Sequence, residues 1–497
     1  MQTQQQDQGT QPNESTADGL AIARLQETFA MQRAAYLRAP FPDAKARKEH
    51  LRALADMMLR GRGRIRAAMR EDYGIHPDIF TDIAEVAAPV MRVQNALARL
   101  DEWMMPEARS VEGFGENVQA LMVPHPKGVI GTMAPWNFPF ELACGPLVDM
   151  LAAGNRVIMK PSEITAACSE VLEELVAKTF DRDHVSTAIG GVDLARFFPT
   201  LPWNHLLYTG STEIGRHVML AAAENLVPVT LELGGKAPAI FLESGLREKA
   251  IESVLSTKMI KSGQVCVSVD HVLTPRARLR DTVEMIRASY QSTAAGHAAG
   301  PDCAAVVSER HMARIQGMID DAKQGGAEVI SLEPEVSGAK PNERRMPLHL
   351  VVDPGPDLRV SREEIFGPIL PIIPYDTTEE VIDRVQAGGR PLALYLFGTE
   401  QDKLEEMSRR MMSGGVTFNG AGHHAMIPSL GFGGSGASGM GMHHDVDGFR
   451  EFSHLRGTFH ADPEGGAMFH CPPYPLMKHE GVDAMIEGLE RDFVQSR

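Results

Sequence analysis

The chain has 497 residues, of which 43% are hydrophobic and 23% charged, a composition typical of a soluble globular protein with two or three domains. Its formal net charge of −16 disfavours binding to nucleic acid or to an anionic membrane surface. Five widely spaced cysteines without a Cys-x-x-Cys pair favour a reducing compartment, so we predict a cytoplasmic protein. No apolar run approaches the roughly 20 residues that a membrane-spanning helix needs.

Residues 1–19 are rich in Gln, Thr, Asn and Asp, and we predict a disordered tail there. Residues 20–100 carry apolar side chains at three- and four-residue spacing, which predicts helices. Short apolar runs then alternate with amphipathic segments, once up to residue 234 and again from residue 235. Such alternation is typical of parallel sheets covered by helices on both faces. The predicted fold class is therefore α/β, with two doubly wound domains.

Ten short apolar runs are predicted to be strands. In the first half of the chain they are Gly128–Met133, Arg156–Lys160, His205–Thr209 and Val227–Leu233. In the second half they are Ala239–Leu242, Val272–Thr274, Leu348–Val352, Ile369–Tyr375, Leu392–Phe397 and Val416–Asn419. Amphipathic periodicity predicts helices between them, at Ala167–Phe180, Lys249–Ile260, Leu279–Gln291, Glu309–Gly325 and Thr378–Ala387.

Two features near the C-terminus are predicted to carry no chemistry. The pairs His423–His424 and His443–His444 have no ligand spacing, because adjacent side chains point in different directions, and we predict no metal site. Residues 431–441 are dense in glycine, and we predict a flexible connecting loop rather than a phosphate-binding loop.

Cys266 and Glu232 have the surroundings that point most clearly to catalysis. Cys266 follows Gly263 and Gln264, which suits an exposed loop-to-helix junction where a thiolate is stabilised. Glu232 lies between apolar strand residues and a Gly-Gly turn, an unusual place for a carboxylate. A nucleophilic thiol and a carboxylate base can together form and then hydrolyse a thioester. The remaining cysteines fit small buried hydrophobes: Cys144, Cys168, Cys303 and Cys471.

Two motifs at strand ends each allow two interpretations. Asn137 stands between Pro135 and Pro139, where its amide either stabilises the turn or donates to a developing oxyanion. Lys160 and Glu163 end a strand, where they either reach ribose hydroxyls at a topological switch point or form an ordinary solvated salt bridge. The sequence around each motif leaves both interpretations open.

Two further motifs are equally ambiguous when taken alone. The turn from Gly210 to Gly215 follows a strand and opens a helix that Ser211 or Thr212 can cap, so it is either structural or a pyrophosphate site. Acidic residues at 363–364 precede a strand, where they are either simply exposed or bind a second ribose, with Phe366 packing on a nicotinamide ring.

Together these motifs resemble the aldehyde dehydrogenase superfamily over residues 20–459. The resemblance rests on six ordered segments, 135–139, 160–163, 209–215, 231–236, 263–266 and 363–368. Residues 215–219, 221–238 and 391–395 look most similar to the coniferyl-aldehyde dehydrogenase branch near the class 3 enzymes. The resemblance implies Cys266 as nucleophile, Asn137 with the Cys266 backbone N–H as oxyanion hole, and Glu232 as general base. It implies dinucleotide contacts by Trp136, Lys160, Glu163, Gly210, Ser211, Gly215, Glu364 and Phe366.

The resemblance also implies a domain organisation. Residues 20–108 and 127–234 would form a Rossmann-like dinucleotide-binding domain, and residues 235–427 a catalytic domain. Residues 109–126 and 428–470 would form a small β bridging element used for dimerisation, followed by a C-terminal extension, 471–497. The expected partners are a small-molecule aldehyde and a second copy of the chain in a homodimer, with no nucleic acid and no membrane.

The chain departs from the family pattern at residues 267–271, 419–430 and 441–445. In the family these positions border substrate entry or the dimer contact. The departures therefore concern the substrate and not the reaction.

The predicted function is NAD(P)-dependent oxidation of an aldehyde to its carboxylic acid, through a thiohemiacetal and a thioester on Cys266. The aldehyde is expected to be aromatic and like coniferyl aldehyde, or medium-chain aliphatic. NAD is the expected cofactor because Glu163 would repel a 2′-phosphate, while NADP stays open because Lys160 would offset that repulsion. The alternatives are a cofactor-independent thiol esterase, or a structural protein on the same fold.

Overall fold

The computed structural model describes residues 17–111, 117–334, 343–464 and 479–494. Most of the predicted tail (1–16) and parts of the predicted bridging element and C-terminal extension (112–116, 465–478, 495–497) lie outside the described residues. One compact unit comprises the described parts of 1–104 and 125–454, and a second comprises those of 105–124 and 455–497.

The helices of the described chain are longest at its N-terminal end. The first eight are α1 (Ala17–Arg38), α2 (Ala44–Tyr73), α3 (Asp78–Phe80), α4 (Ala88–Trp103), α5 (Glu141–Ala152), α6 (Ala166–Thr179), α7 (Val192–Phe197) and α8 (Thr212–Ala223). The others are α9 (Glu248–Met259), α10 (Leu279–Thr293), α11 (Glu309–Gln324), α12 (Arg359–Arg362), α13 (Thr378–Ala387), α14 (Gln401–Arg410), α15 (His423–Met426), α16 (Asp445–Glu451) and α17 (His479–Phe493). No helix in the described ranges is both long and apolar enough to cross a bilayer.

The strands are short and mostly buried. The first seven are β1 (Glu107–Arg109), β2 (Gln119–Pro126), β3 (Val129–Met133), β4 (Arg156–Lys160), β5 (Val185–Thr187), β6 (His205–Thr209) and β7 (Val229–Glu232). The next seven are β8 (Pro238–Phe241), β9 (His271–Pro275), β10 (Glu328–Ser331), β11 (His349–Val352), β12 (Ile369–Tyr375), β13 (Ala393–Phe397) and β14 (Gly415–Phe418). The last two are β15 (Gly439–Met440) and β16 (Ser453–His460).

The first large sheet has the strand order β15-β7-β6-β3-β4-β5, and its described pairs are parallel except for β15. The chain runs from β3 through β4 to β5, then returns to the other side of β3 with β6 and β7. The strand order therefore reverses between β3 and β6. Ligands of such sheets bind in the crevice beyond the carboxyl ends of the strands at this point, where residues 134–139 and 210–211 follow β3 and β6.

The second large sheet has the order β10-β11-β12-β9-β8-β13-β14, with only β10 antiparallel to its neighbour. A third, small sheet has the order β1-β2-β16, in which β1 and β2 are antiparallel. The predicted fold class, two doubly wound α/β sheets with a small β element, is confirmed.

Each face of the first large sheet is covered by a different layer of helices. Alternate residues of β3 show this, because Ile130 packs into the apolar cluster of α2, α4, α5 and α6, whereas Val129 packs into that of α1 and α8. A parallel sheet covered on both faces explains why its strands are continuous apolar runs without alternation.

Helix α1 begins at Ala17, so residues 17–19 of the predicted disordered tail are helical. Asp18 lies in the first turn, where a carboxylate stabilises the helix dipole. Its side chain also accepts hydrogen bonds from the backbone N–H groups of Gly191 (2.6 Å) and Asp193 (3.0 Å). These tertiary contacts order a segment whose polar composition predicted disorder.

The glycine-dense residues 431–441 are not simply a connecting loop, because they contain β15. Gly439 pairs with Glu232, and the backbone N–H of Leu233 donates to the carbonyl of Ser438 at 3.0 Å. Gly439 has a φ of 141°, and a Cβ there would lie 2.0 Å from the carbonyl oxygen of Leu231. Glycine is therefore required for the backbone to approach β7 this closely.

A π-helical segment, Thr81–Ala87, connects α3 to α4. Pro89 explains it, because proline has no N–H and its ring would clash with the carbonyl four residues earlier, that of Glu85. The turn widens instead, and the N–H of Ala88 donates to the carbonyl of Ile83, five residues earlier. The Glu85 side chain is fully buried as a result of this local path.

Candidate active site

A cleft of about 240 Å³ opens beyond the carboxyl ends of β3, β6 and β7 and is closed by segments of the second large sheet's domain. It brings together eight of the eleven residues that the sequence analysis assigned to the site. They are Trp136, Asn137, Gly210, Ser211, Glu232, Cys266, Glu364 and Phe366. Lys160, Glu163 and Gly215 do not line this cleft.

Cys266 is half-buried in a turn in which the N–H of Ser268 donates to the carbonyl of Val265 at 3.0 Å. The turn follows a short 3₁₀ helix, Ile260–Gly263, so the prediction that Cys266 lies at a loop-to-helix junction is wrong. Burial, followed by the charges of Glu364 and Glu232, raises the pKa of the thiol to about 12. The expected thiolate stabilisation is therefore not supplied by these side chains, because the nearby carboxylates oppose it.

We expect Glu364→Gln to accelerate alkylation of Cys266 by iodoacetamide at pH 8–9 by about 2- to 10-fold. Burial raises the pKa of Glu364 to about 7, so its carboxylate is charged at pH 8 and disfavours the neighbouring thiolate. A thiol pKa lower by up to one unit gives up to a tenfold larger thiolate fraction. Mass spectrometry would give the rates, with Cys266→Ser as the background. Near pH 5.5 the acceleration should vanish, because Glu364 is then protonated in the wild type as well. An equal acceleration at both pH values would contradict the role of the Glu364 charge.

Asn137 is buried, and its side chain reaches out of its own turn. The amide Nδ2 donates to the carbonyl of Gln264 at 3.2 Å, two residues before Cys266. This contact favours the oxyanion-donor interpretation over the turn-stabilising one, because the amide is aimed at the backbone that carries the thiol.

Glu232 ends β7, and only 3% of its surface is exposed. Neither of its carboxylate oxygens has a hydrogen-bond partner among the described residues. Burial, followed by the charge of Glu451, raises its pKa well above the usual value. Buried polar atoms are nearly always hydrogen-bonded, so an unpartnered carboxylate in a cleft with a perturbed pKa indicates a functional group.

The helix N-terminus that follows β6 forms one wall of the cleft. Ser211 caps α8 by accepting from the N–H of Ile214 at 3.4 Å, as predicted. A Cβ on Gly210 would lie 2.2 Å from the Tyr208 hydroxyl oxygen, so any larger residue there would force the Tyr208 side chain to shift. Gly215 lies deeper, where a Cβ would meet Leu233 at 2.7 Å, so the absence of a side chain lets α8 pack closely on β7.

Lys160 and Glu163 lie at the end of β4, one strand away from the point where the strand order reverses. The Lys160 ammonium is buried and donates to Glu163 Oε2 at 2.9 Å and to the carbonyl of Pro161 at 3.1 Å. The pair is therefore not an ordinary solvated salt bridge, since one of its partners is only 3% exposed.

Glu364 and Phe366 come from the segment before β12. A Cβ on Gly234 would lie 2.3 Å from Glu364 Oε2, so this glycine makes room for the carboxylate. Phe366 has a φ of 45°, a strained value for an aromatic residue, and its ring lies edge-on to that of Trp136 with centroids 5.4 Å apart. Arg314 holds this backbone by donating to the carbonyls of Glu364 (3.1 Å) and Phe366 (3.5 Å).

Outside the six segments, sequence reasoning missed two polar residues that line the cleft, His311 and Arg314 of α11. The His311 ring lies 4.8 Å from that of Trp136. Nothing in the local sequence distinguishes these residues from the other basic residues of an amphipathic helix. Only the packing of α11 against residues 364–366 reveals them.

The model of the aldehyde dehydrogenase family matches residues 23–457. The chain is 39% identical over 453 residues to a probable coniferyl aldehyde dehydrogenase of Pseudomonas aeruginosa, covering 91% of this chain and 94% of that protein. It is 36% identical to a coniferyl aldehyde dehydrogenase of a Pseudomonas species, covering 83% and 86%. The substrate-bound AldH of Staphylococcus aureus has a TM-score of 0.86 at 28% identity, covering 93% of this chain and 99% of that one. The resemblance is thereby confirmed, and the chain belongs to the aldehyde dehydrogenase family.

Proposed function

We propose that this protein oxidises an aldehyde to its carboxylic acid with a nicotinamide cofactor, through a thioester on Cys266. The observation that carries the proposal is the shared cleft, in which an unpartnered buried carboxylate, Glu232, and an inward-facing amide, Asn137, accompany the thiol. Family membership supports the reaction class. The cleft provides no comparable support for a cofactor-free esterase or a purely structural role.

The residues of the cleft fit a dinucleotide. The N-terminus of the twelve-residue helix α8 offers backbone N–H groups to a pyrophosphate, and Gly210 leaves the approach free of a Cβ. Glu364, beside Gly234, would accept from ribose hydroxyls, and Phe366 and Trp136 would pack on the nicotinamide. When bound, such a cofactor accepts the hydride that leaves the substrate carbon.

The bond-forming step belongs to Cys266. Its thiol releases a proton to water, and the sulfur attacks the carbonyl carbon. The C–S bond forms as the C=O π bond breaks, which places a negative charge on the former carbonyl oxygen. The Asn137 amide and the Cys266 backbone N–H would donate to this oxygen. One such donor is worth on the order of 3 kcal/mol of barrier. Loss of hydride from the same carbon leaves a thioester on Cys266.

The hydrolytic step belongs to Glu232. As a general base it would remove a proton from water, whose oxygen attacks the thioester carbon and breaks the C–S bond. The carboxylic acid leaves, and the proton taken up by Glu232 passes to the sulfur. A raised pKa suits this role, because a base works best when its pKa lies near the working pH.

The proposed substrates are aromatic aldehydes of the coniferyl or cinnamyl type. The names of the two Pseudomonas relatives support this class. Purified protein should be mixed with NAD or NADP and a panel of cinnamyl-type, benzylic and medium-chain aliphatic aldehydes while reduced nicotinamide is followed. We expect the largest kcat/KM for a cinnamyl-type aldehyde with NAD, because the Glu163 carboxylate disfavours a 2′-phosphate. If no combination of cofactor and aldehyde gives turnover, the dehydrogenase proposal is refuted.

We also propose a homodimer. Strand β16 lies at one edge of the small sheet, spans eight residues and is mostly exposed. An exposed edge strand can pair with a second copy of the chain. Light scattering should then give about twice the 54.2 kDa mass of the chain. A mass of one chain at micromolar concentration would contradict the dimer.

A further inference from the structure

A buried ion pair lies behind the Asn137 turn. Lys261 and Glu85 have fully buried side chains, and Lys261 Nζ lies 3.3 Å from Glu85 Oε1. Removing two charges from water is costly, and a pair of apolar side chains of similar volume is often as stable or more stable. Fold stability alone is therefore a weak explanation for charges at this position.

The remaining contacts of Lys261 converge on the turn that presents Asn137. The ammonium donates to the main-chain carbonyl of Asn137 and lies 4.5 Å from the centre of the Phe138 ring. It also lies 4.7 Å from the ring centre of Tyr73, whose hydroxyl donates to the carbonyl of Trp136 at 3.0 Å. Two side chains from outside the turn thus hold two consecutive carbonyls within it.

Glu85 secures the other end of the same turn. Its Oε2 accepts from the backbone N–H groups of Phe140 (3.1 Å) and Glu141 (3.0 Å), at the N-terminus of α5. A carboxylate at a helix N-terminus satisfies N–H groups that would otherwise lack partners and complements the helix dipole. The ion pair therefore connects the start of α5 with the carbonyl of Asn137.

The backbone that carries Lys261 is strained. Lys261 and Ser262 have φ values of 48° and 54°, in the left-handed region, which is unfavourable for residues other than glycine. The Gln264 side chain holds this conformation by donating to the carbonyls of Lys261 (2.8 Å) and Ala305 (3.0 Å). Such strain persists only where the surroundings determine it strongly, and it is concentrated at functional sites.

The turn of Asn137 and the segment before Cys266 are therefore linked in both directions. Lys261 donates to the main chain of Asn137, and the side chain of Asn137 donates to the main chain of Gln264. A donor that is fixed in place before reaction stabilises developing charge without the cost of reorganisation.

We propose that Lys261, held by Glu85, is a positioning residue that fixes the main chain of Asn137 so that its side-chain amide meets the oxyanion formed at Cys266. The inference rests on the proposed function, because it takes the Asn137 amide to be an oxyanion donor. Lys261 acts through Asn137 and does not itself touch the reacting atoms.

A double-mutant cycle tests this role. Lys261→Met keeps the aliphatic stem and removes the ammonium. We expect it to slow the pre-steady-state burst of reduced nicotinamide by about 10- to 100-fold, since a misplacement of 1 Å can cost 100-fold in rate. The dissociation constant of the cofactor should change by less than about twofold. Combined with Asn137→Ala, Lys261→Met should slow the burst by less than about twofold further, because the amide through which it acts is gone.

Two outcomes would overturn the inference: a wild-type burst rate in Lys261→Met, or the same loss of rate with and without Asn137→Ala. If Lys261→Met fails to fold because Glu85 is left unpaired, the cycle is run with Glu85→Gln/Lys261→Met, which removes both charges. The matched control is Lys258→Met, an equally buried lysine three residues earlier. Its effect on the burst rate should be the same with and without Asn137→Ala.

A crystal structure of Lys261→Met tests this inference independently of the proposed function. If the wild-type protein shows no dehydrogenase activity, the proposed function fails. The structure then still decides the positioning role, because the Asn137 amide should leave the Gln264 carbonyl in the variant. An amide that stays within hydrogen-bond distance of that carbonyl would overturn it.

Discussion

Cys266→Ser should reduce aldehyde oxidation on the order of 10⁴-fold or more, with no burst of reduced nicotinamide. Serine preserves the shape of the side chain, but its hydroxyl is a far weaker nucleophile at neutral pH and has no base within hydrogen-bond distance among its described contacts. Cofactor affinity should stay within about twofold, because the thiol forms a bond to the substrate only. Stopped-flow absorbance at 340 nm would measure the burst and the steady-state rate together.

Cys168→Ala is the control for this variant. Cys168 is buried in α6 and donates to Met69 Sδ at 3.5 Å, in the apolar cluster beneath the first sheet. Its loss should lower stability modestly and leave kcat/KM within about twofold of wild type, as expected for a small core truncation. A Cys266→Ser enzyme that oxidises aldehydes at the wild-type rate would exclude the thioester route.

Glu232→Gln should separate the two halves of the reaction. The burst of reduced nicotinamide should stay close to one per active site, while the steady-state rate falls about 10²- to 10⁴-fold, the usual contribution of a general base. The thioester should accumulate and appear in the intact mass of the denatured protein as an acyl adduct on Cys266. An unchanged steady-state rate would remove Glu232 from the role of base.

Glu451→Gln tests how the charge of Glu451 affects the pKa of Glu232. Glu451 accepts from Thr230 Oγ1 at 2.5 Å, and its charge contributes to the raised pKa of Glu232 after burial. Neutralising it should lower the pKa of Glu232, so that hydrolysis of the thioester reaches half its maximal rate at a lower pH. The thioester should not accumulate in this variant, in contrast to Glu232→Gln.

The raised pKa of Glu232 also affects the stability of the fold. A pKa raised in the folded protein means that folding retains a proton that the unfolded chain releases above its ordinary pKa of about 4.5. Glu232 therefore destabilises the fold progressively as pH rises from that value towards the folded pKa. Thermal melts should show Glu232→Gln more stable than wild type at pH 8, with the difference shrinking towards pH 4.

Strands buried on both faces were predicted well from the sequence, as was helix α13, whose predicted range Thr378–Ala387 is the observed one. His205–Thr209 and Ile369–Tyr375 were predicted with their observed bounds, because a parallel strand covered by helices is a continuous apolar run. Helix α5 was missed because Pro146 lies within it and because all its residues from 143 to 152 are buried, which removes the amphipathic periodicity. Strand β15 was missed because its pairing depends on glycine and on a partner some 200 residues away in sequence.

The residues of the candidate site were likewise predicted only in part. Cys266, Glu232 and Asn137 were predicted because each residue type is out of place in its local sequence, and the structure brings all three into one cleft. The Lys261–Glu85 pair could not be predicted in this way, because its members are 176 positions apart. A lysine before Ser-Gly and a glutamate in an alanine-rich helix look like ordinary exposed residues in the sequence.

The π-helical turn Thr81–Ala87 limits which changes of sequence this chain can tolerate. A residue advances a helix by about 100°, so deleting one residue between Glu85 and α4 would rotate everything before it relative to α4. Glu85 would then turn away from the N–H groups of Phe140 and Glu141, and Lys261 would lose its counterion. Substitutions on the exposed side of this turn should therefore be tolerated, whereas a change of its length by a single residue should not.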